Sequence, residues 1–211
     1  MRKQSIRLAC AVALSVCAAS AAIIVNPGFE EPAGTSDPAA GWVDTSTTYG
    51  SNRCSIADCG NGGGTTGPNS GSFWIWLGGT SSSETGIVSQ TVTIPASASA
   101  DFGFYLWYGT SSGSADDVFT ASIDSVQLLQ LLGNDPTTGG YQYFSYDVSA
   151  YADGGSHTIE FQLQKVSTTS GMNISIDDVS LTAGSAVPEP STFALSGAAL
   201  AGLSLFLRRR K

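Results

Sequence analysis

The sequence predicts an all-β sandwich carried between two terminal targeting segments. Short alternating or apolar runs recur along the body, and clusters of Gly, Ser, Asn and Asp separate them. The chain has 211 residues and 25 glycines, with 42% hydrophobic and only 12% charged residues, so it is too apolar for disorder and rich in turns. Charge is divided sharply. Of nine lysines and arginines, three stand in the first seven residues and four end the chain, leaving Arg53 and Lys165 between. That middle stretch keeps sixteen of the seventeen acids (all but Glu189), a net charge of −14 against −8 for the whole chain. So acidic a body repels phosphate backbones, which excludes nucleic acid as a partner.

The N-terminus has the parts of a secretory signal peptide over residues 1–22. Arg2, Lys3 and Arg7 form the positive region, residues 8–22 the apolar region, and Ala19-Ser20-Ala21 a small-residue cleavage site. Leu14-Ser15-Val16-Cys17 falls short of a lipid-attachment box because Val16 is bulky. Residues 23–186 are one domain. Its candidate strands lie at 23–26, 72–77, 87–94, 101–108, 117–123, 126–132, 142–147, 157–165 and 173–182. In 157–165, Ile159, Phe161 and Leu163 share one face, while Glu160, Gln162 and Gln164 share the other. Residues 43–71 read as a long loop. Cys54 and Cys59 lie within it, and an exported pair at this spacing is most simply a disulfide; a metal site is the alternative.

At the C-terminus, Val187-Pro188-Glu189-Pro190 precedes an apolar segment, 192–207, expected to cross the membrane as a helix. Sixteen residues span about 24 Å as a helix, short of the ~30 Å hydrocarbon core, and the basic tail 208–211 can snorkel to close the gap. Proline-glutamate-proline, apolar helix and terminal arginines, in that order, resemble the PEP-CTERM sorting signal of Gram-negative bacteria. The resemblance implies processing by an exosortase, transient anchoring in the inner membrane, and a final place at the cell surface or in an extracellular, biofilm-like matrix rich in exopolysaccharide.

A second resemblance covers roughly residues 23–183. Asn26-Pro27-Gly28-Phe29-Glu30 followed by Trp42, and the closing Ile176-Asp177-Asp178-Val179-Ser180-Leu181, are similar to the opening and closing strands of carbohydrate-binding-module-like, galactose-binding-like jelly rolls. It implies a jelly-roll sandwich and a structural Ca²⁺ held by the opening Glu and closing Asp, here Glu30, Asp177 and Asp178. Hard oxygen ligands from terminal strands suit that ion; solvated strand-end acids are the other reading.

For function, Trp74, Trp76, Tyr105 and Trp107, with Tyr141 and Tyr143, are candidates for a sugar-stacking platform, and Glu160 and Gln162 for its polar partners. The competing reading packs these aromatics inside the sandwich, where Trp42 also belongs. No catalytic residue is expected. The lone His157 follows a Gly-Gly-Ser turn, and no nucleophile or zinc motif occurs; a two-carboxylate glycosidase is the weakest of the three readings. The expected function is therefore a non-enzymatic surface or matrix protein whose sandwich binds or scaffolds extracellular polysaccharide. Its alternative is an adhesive module that contacts proteins and binds no sugar.

Overall fold

The computed structural model describes residues 23–32, 38–62, 67–168 and 171–184. The signal peptide, the sorting motif Val187, Pro188, Glu189 and Pro190, and the 192–207 segment lie outside them. Among the described residues, no helix is long and apolar enough to cross a membrane.

Among the described residues, ten strands form two antiparallel five-stranded sheets. In chain order they are β1 Val43–Ser46, β2 Arg53–Ser55, β3 Phe73–Gly78, β4 Glu84–Thr93, β5 Ala100–Thr110, β6 Val118–Ile123, β7 Val126–Leu132, β8 Gln142–Asp147, β9 Ser156–Lys165 and β10 Asn173–Ala183. One sheet runs β1-β4-β9-β6-β7 and the other β2-β3-β10-β5-β8. A single helical turn, α1 Ile56–Cys59, follows β2, with Ser55 capping the amide of Asp58. The prediction of an all-β sandwich holds.

Period-two alternation explains the core. Ile159, Phe161 and Leu163 of β9 face Phe102, Phe104 and Leu106 of β5 across the interior, all fully buried. Phe161 sits at the centre, its ring edge-on to Phe104 at 4.9 Å and within 6.5 Å of Trp42. Trp42 is buried, as expected, and its indole N–H donates to the Asn26 carbonyl at 3.0 Å.

Two departures from the predicted strands matter. Residues 23–26 form no strand: Asn26 and Phe29 take positive φ, and the chain turns there with Phe29 N–H donating to Asn26 O. Ile24 still enters the core from this turn. The supposed loop 43–71 contains β1 and β2, edge strands of four and three residues. Arg53 on β2 is 2% exposed, its guanidinium 3.7 Å from the Phe73 ring centroid, with Nε donating to Phe29 O and Nη2 to Pro32 O. One of the domain's two cations thus fastens the opening segment to the second sheet.

Candidate functional site

Residues opposite one another in an antiparallel pair share a face. Ser175 of β10 lies opposite Trp76 of β3 on one side and Trp107 of β5 on the other; Tyr105 of β5 lies opposite Asp177 and Tyr143. Their strand neighbours Ile75, Leu77, Phe104, Leu106 and Ile176 are in the core. Trp74, Trp76, Tyr105, Trp107 and Tyr143 therefore line the outer face of the second sheet. The aromatics of the predicted platform share one surface, though they differ in access. Trp74 is fully buried, with its indole N–H unpaired, while Tyr143 is 53% exposed. Trp76, Tyr105 and Trp107 are half-buried. Tyr105 and Tyr143 pack at 5.1 Å, and Tyr141 reaches over to donate its hydroxyl to Gly67 O.

Glu160 and Gln162 do not join them. They stand on β9 in the other sheet, opposite Ser89 and Ser122 and opposite Ile87 and Thr120 respectively. Their outward orientation was legible from alternation, but the whole ~10 Å sheet separation lies between them and the aromatic face. They are thus not partners of that platform. Glu160 instead lines a shallow cleft of about 380 Å³ with Ser122, Asp124, Ser125 and Thr158.

At the β2–β3 edge of the aromatic face lies a cavity of about 360 Å³, walled by Trp76, Tyr49, Ser51, Arg53, Asp58, Gly78 and the Cys54–Cys59 pair. Cys54 and Cys59 form a disulfide, Cα atoms 5.7 Å apart, that ties β2 to α1. Trp76 Nε1 donates to Asn173 Oδ1 at 3.0 Å, which fixes the indole orientation. Ser51 Oγ donates to Asp44, and Asp58 accepts from Ser55 Oγ. Tyr49, 55% exposed, escaped sequence reasoning because one aromatic in a polar stretch carries no periodic signal. Only the Thr-Thr-Tyr-Gly run beside a cysteine pair pointed toward it.

Glu30, Asp177 and Asp178 do come to one end of the sandwich, around Gly28. A bulge in β10 between Asp177 and Ser180, with Asp178 at φ 49°, turns both aspartates toward residues 69–70. Asp177 Oδ2 accepts from the Asn69 and Ser70 amides and Oδ1 from Asp178 N–H. Asp178 accepts from Asn69 Nδ2 and Ser70 Oγ; Glu30 Oε1 accepts from the Ser72 and Phe73 amides. The oxygens are of the kind Ca²⁺ takes, yet protein donors occupy them. No group of three or more Asp, Glu, His or Cys side chains among the described residues can hold a metal. As arranged, the set does not fit a Ca²⁺ shell. Melting curves in EDTA and in excess CaCl₂ should therefore coincide; a higher Tm with calcium would show the ion displacing these donors.

Burial, with the neighbouring Asp178 charge adding to it, pushes Asp177 up to about 7. His157 is clamped between Asp124 (Nδ1 to Oδ2, 2.7 Å) and Asp153 (Nε2 to Oδ1, 3.0 Å). The hydrogen bond to Asp124, then that to Asp153, holds the imidazole above its ordinary pKa, while both aspartates fall below theirs. For His157 and Asp177 alike, the folded value is raised. Their contributions are complete below the unfolded values, about 6.5 and 3.9, and are lost as pH rises through the folded ones. The aspartates of the clamp titrate lower and stay constant there. Tm should fall as pH rises from about 4 to about 7 with Asp177, and further above about 6.5 with His157; His157→Gln should remove the fall above pH 7, leaving the Asp177 part. An equal slope in the variant would sink the clamp.

No curated protein is similar in sequence to the chain. Among solved structures, the carbohydrate-binding module TmCBM61, in complex with β-1,4-galactotriose, superposes with a TM-score of 0.53 at 15% identity, covering 78% of this chain and 100% of that one. The enzymatically active domain of tailspike protein 4 from bacteriophage CBA120 gives 0.49 at 13%, covering 77% of this chain and 21% of that chain. A cyclase from Fischerella sp. TAU gives 0.48 at 16%, covering 79% and 99%. The first of these likenesses shows a fold of the carbohydrate-binding-module jelly-roll kind. Residues 186–211 match the model of the PEP-CTERM protein-sorting motif, which indicates export and surface sorting and implies processing by an exosortase.

Proposed function

We propose that the sandwich binds polysaccharide at the cell surface or in the extracellular matrix without cleaving it, and that the Trp76 cavity takes a neutral sugar. The observation that carries this reading is Trp76: a half-buried indole with its N–H held by Asn173, on the wall of a cavity of about 360 Å³ that Ser51 and Asp58 share. A sugar ring pairs an apolar face with hydroxyls at its rim, which matches an aromatic wall set beside polar groups. The domain's charge of −14 favours a neutral glycan over an anionic one. The non-catalytic half of the reading rests on the cavity wall, where Asp58 is the one carboxylate among the described lining residues and glycoside hydrolysis takes a pair.

The test is calorimetric titration of the detergent-purified full chain with neutral oligosaccharides. β-1,4-Galactotriose, the ligand of TmCBM61, is the first probe. Saturable binding with no release of reducing ends is expected. A folded protein that binds none of the panel overturns sugar binding, and released reducing ends overturn the non-catalytic half.

A further inference from the structure

We infer, resting on the sugar-binding reading of the Trp76 cavity, that Glu84 positions that site without lining it: through Ser46 it holds the turn that sets Tyr49 on the cavity wall as a second sugar-stacking face. The turn leaves β1 as Thr47-Thr48-Tyr49-Gly50, four exposed residues with no buried anchor of their own. Gly50 N–H closes it on Ser46 O, with Gly50 at φ 80°. Ser46 Oγ accepts from the Thr48 amide at 3.2 Å and the Tyr49 amide at 2.9 Å, and donates its own proton to Glu84 Oε1. Thr47 is clipped to Thr85, its N–H donating to Thr85 O and its Oγ1 accepting from Thr85 N–H.

Glu84 is the fixed end of this relay. It begins β4, which pairs with β9 along all ten residues, and it is 2% exposed. Lys165 stands opposite it in the ladder, yet that ammonium donates to the Ser82 and Ser167 carbonyls. Among the described residues, Ser46 is the only hydrogen-bond partner of the Glu84 side chain, and Oε2 has none. A buried carboxylate oxygen without a donor costs stability, so core packing alone does not account for an acid here. Its one bond runs to the turn that carries Tyr49.

Tyr49 has a held backbone and a side chain left over for a ligand. The side chain is 55% exposed and, among the described residues, has no hydrogen-bond or ring partner. It walls the same cavity as Trp76 and does not pack against that indole. Each aromatic is thus set in advance by a buried polar residue, Trp76 by Asn173 and Tyr49 by Glu84 through Ser46. Walls fixed before binding cost less to order than mobile ones, and tyrosine offers a broad face on only two rotatable bonds.

A double-mutant cycle on the detergent-purified full chain tests it, titrated with β-1,4-galactotriose or the neutral oligosaccharide that binds in its place. Tyr49→Ala should weaken binding by about tenfold and leave Tm unchanged. Glu84→Ala should weaken binding by about fivefold and also lower Tm. Added to Tyr49→Ala, it should lower Tm as before and leave affinity where it was, because a purely structural role would carry its effect into both backgrounds. Glu84→Gln keeps an oxygen that can accept from Ser46 and should bind as the wild type does. Should Glu84→Ala fail to fold, Ser46→Ala breaks the same relay at a half-buried position and is judged by the same cycle. A Tyr49→Ala protein with wild-type affinity, or an affinity loss from Glu84→Ala that persists without Tyr49, overturns the positioning role and leaves sugar binding at Trp76 standing. A folded wild type that binds none of the panel overturns the sugar reading itself.

Discussion

Phe161→Ala should cost the domain about 3–5 kcal/mol, a large share of the 5–15 kcal/mol that holds a domain together. Phe161 is fully buried on β9, which is hydrogen-bonded on both sides by β4 and β6, so the backbone cannot collapse into the void. Its ring meets Phe104 edge-on at 4.9 Å and Phe102 at 6.0 Å, aromatic contacts that add about 0.5–1.5 kcal/mol each beyond area burial. For a domain of this size, that loss lowers Tm by about 6–20 °C. Gln162→Ala, one residue along on the opposite face, should stay within about 0.5 kcal/mol. Urea unfolding of both variants is the measurement. Similar losses in the two would mean that the alternation of β9 does not set which face holds the core.

That alternation was the most legible feature of the sequence. Phe161 inward and Gln162 outward follow from parity alone, as do Trp74 with Trp76 and Tyr105 with Trp107 on one face. Parity is local, so it tells the two faces of a strand apart but not which sheet receives the strand. Glu160 and Gln162 were for that reason grouped with aromatics that lie across the sandwich. The missed strands have the opposite cause. Val-Asp-Thr-Ser and Arg-Cys-Ser are too short and polar to show a period, and they become strands because β4 and β3 offer them an edge. At the other end, Ile23, Ile24 and Val25 carry a strand's composition without the pairing. Gln90 supplies their link to the sheet, accepting from Val25 N–H and donating to Val25 O as a strand neighbour would. The end-latch of Glu30, Asp177 and Asp178 was legible as a meeting of terminal segments. Its chemistry was not, because Asn69 and Ser70 reach it from more than a hundred residues away in sequence.

Trp76→Ala should weaken oligosaccharide binding by about thirtyfold, the ~2 kcal/mol typical of a central tryptophan anchor. The indole supplies the broad apolar wall of the Trp76 cavity, and alanine leaves nothing for a sugar ring to stack on. The loss of the bond to Asn173, which is 3% exposed, has its own effect on stability, so a second variant separates the two. Trp76→Phe also lacks the N–H that Asn173 Oδ1 accepts, yet it keeps a ring. Its affinity should stay close to that of the wild type while its Tm falls alongside that of Trp76→Ala. Trp107→Ala gives the spatial control. Trp107 lies beyond Ser175 on the same outer face and is not on the cavity wall, its own N–H being held by Thr138 O at 3.2 Å. If Trp107→Ala loses as much affinity as Trp76→Ala, the glycan lies across the sheet and not at its β2–β3 edge. If Trp76→Ala binds as the wild type does, the cavity is not the site.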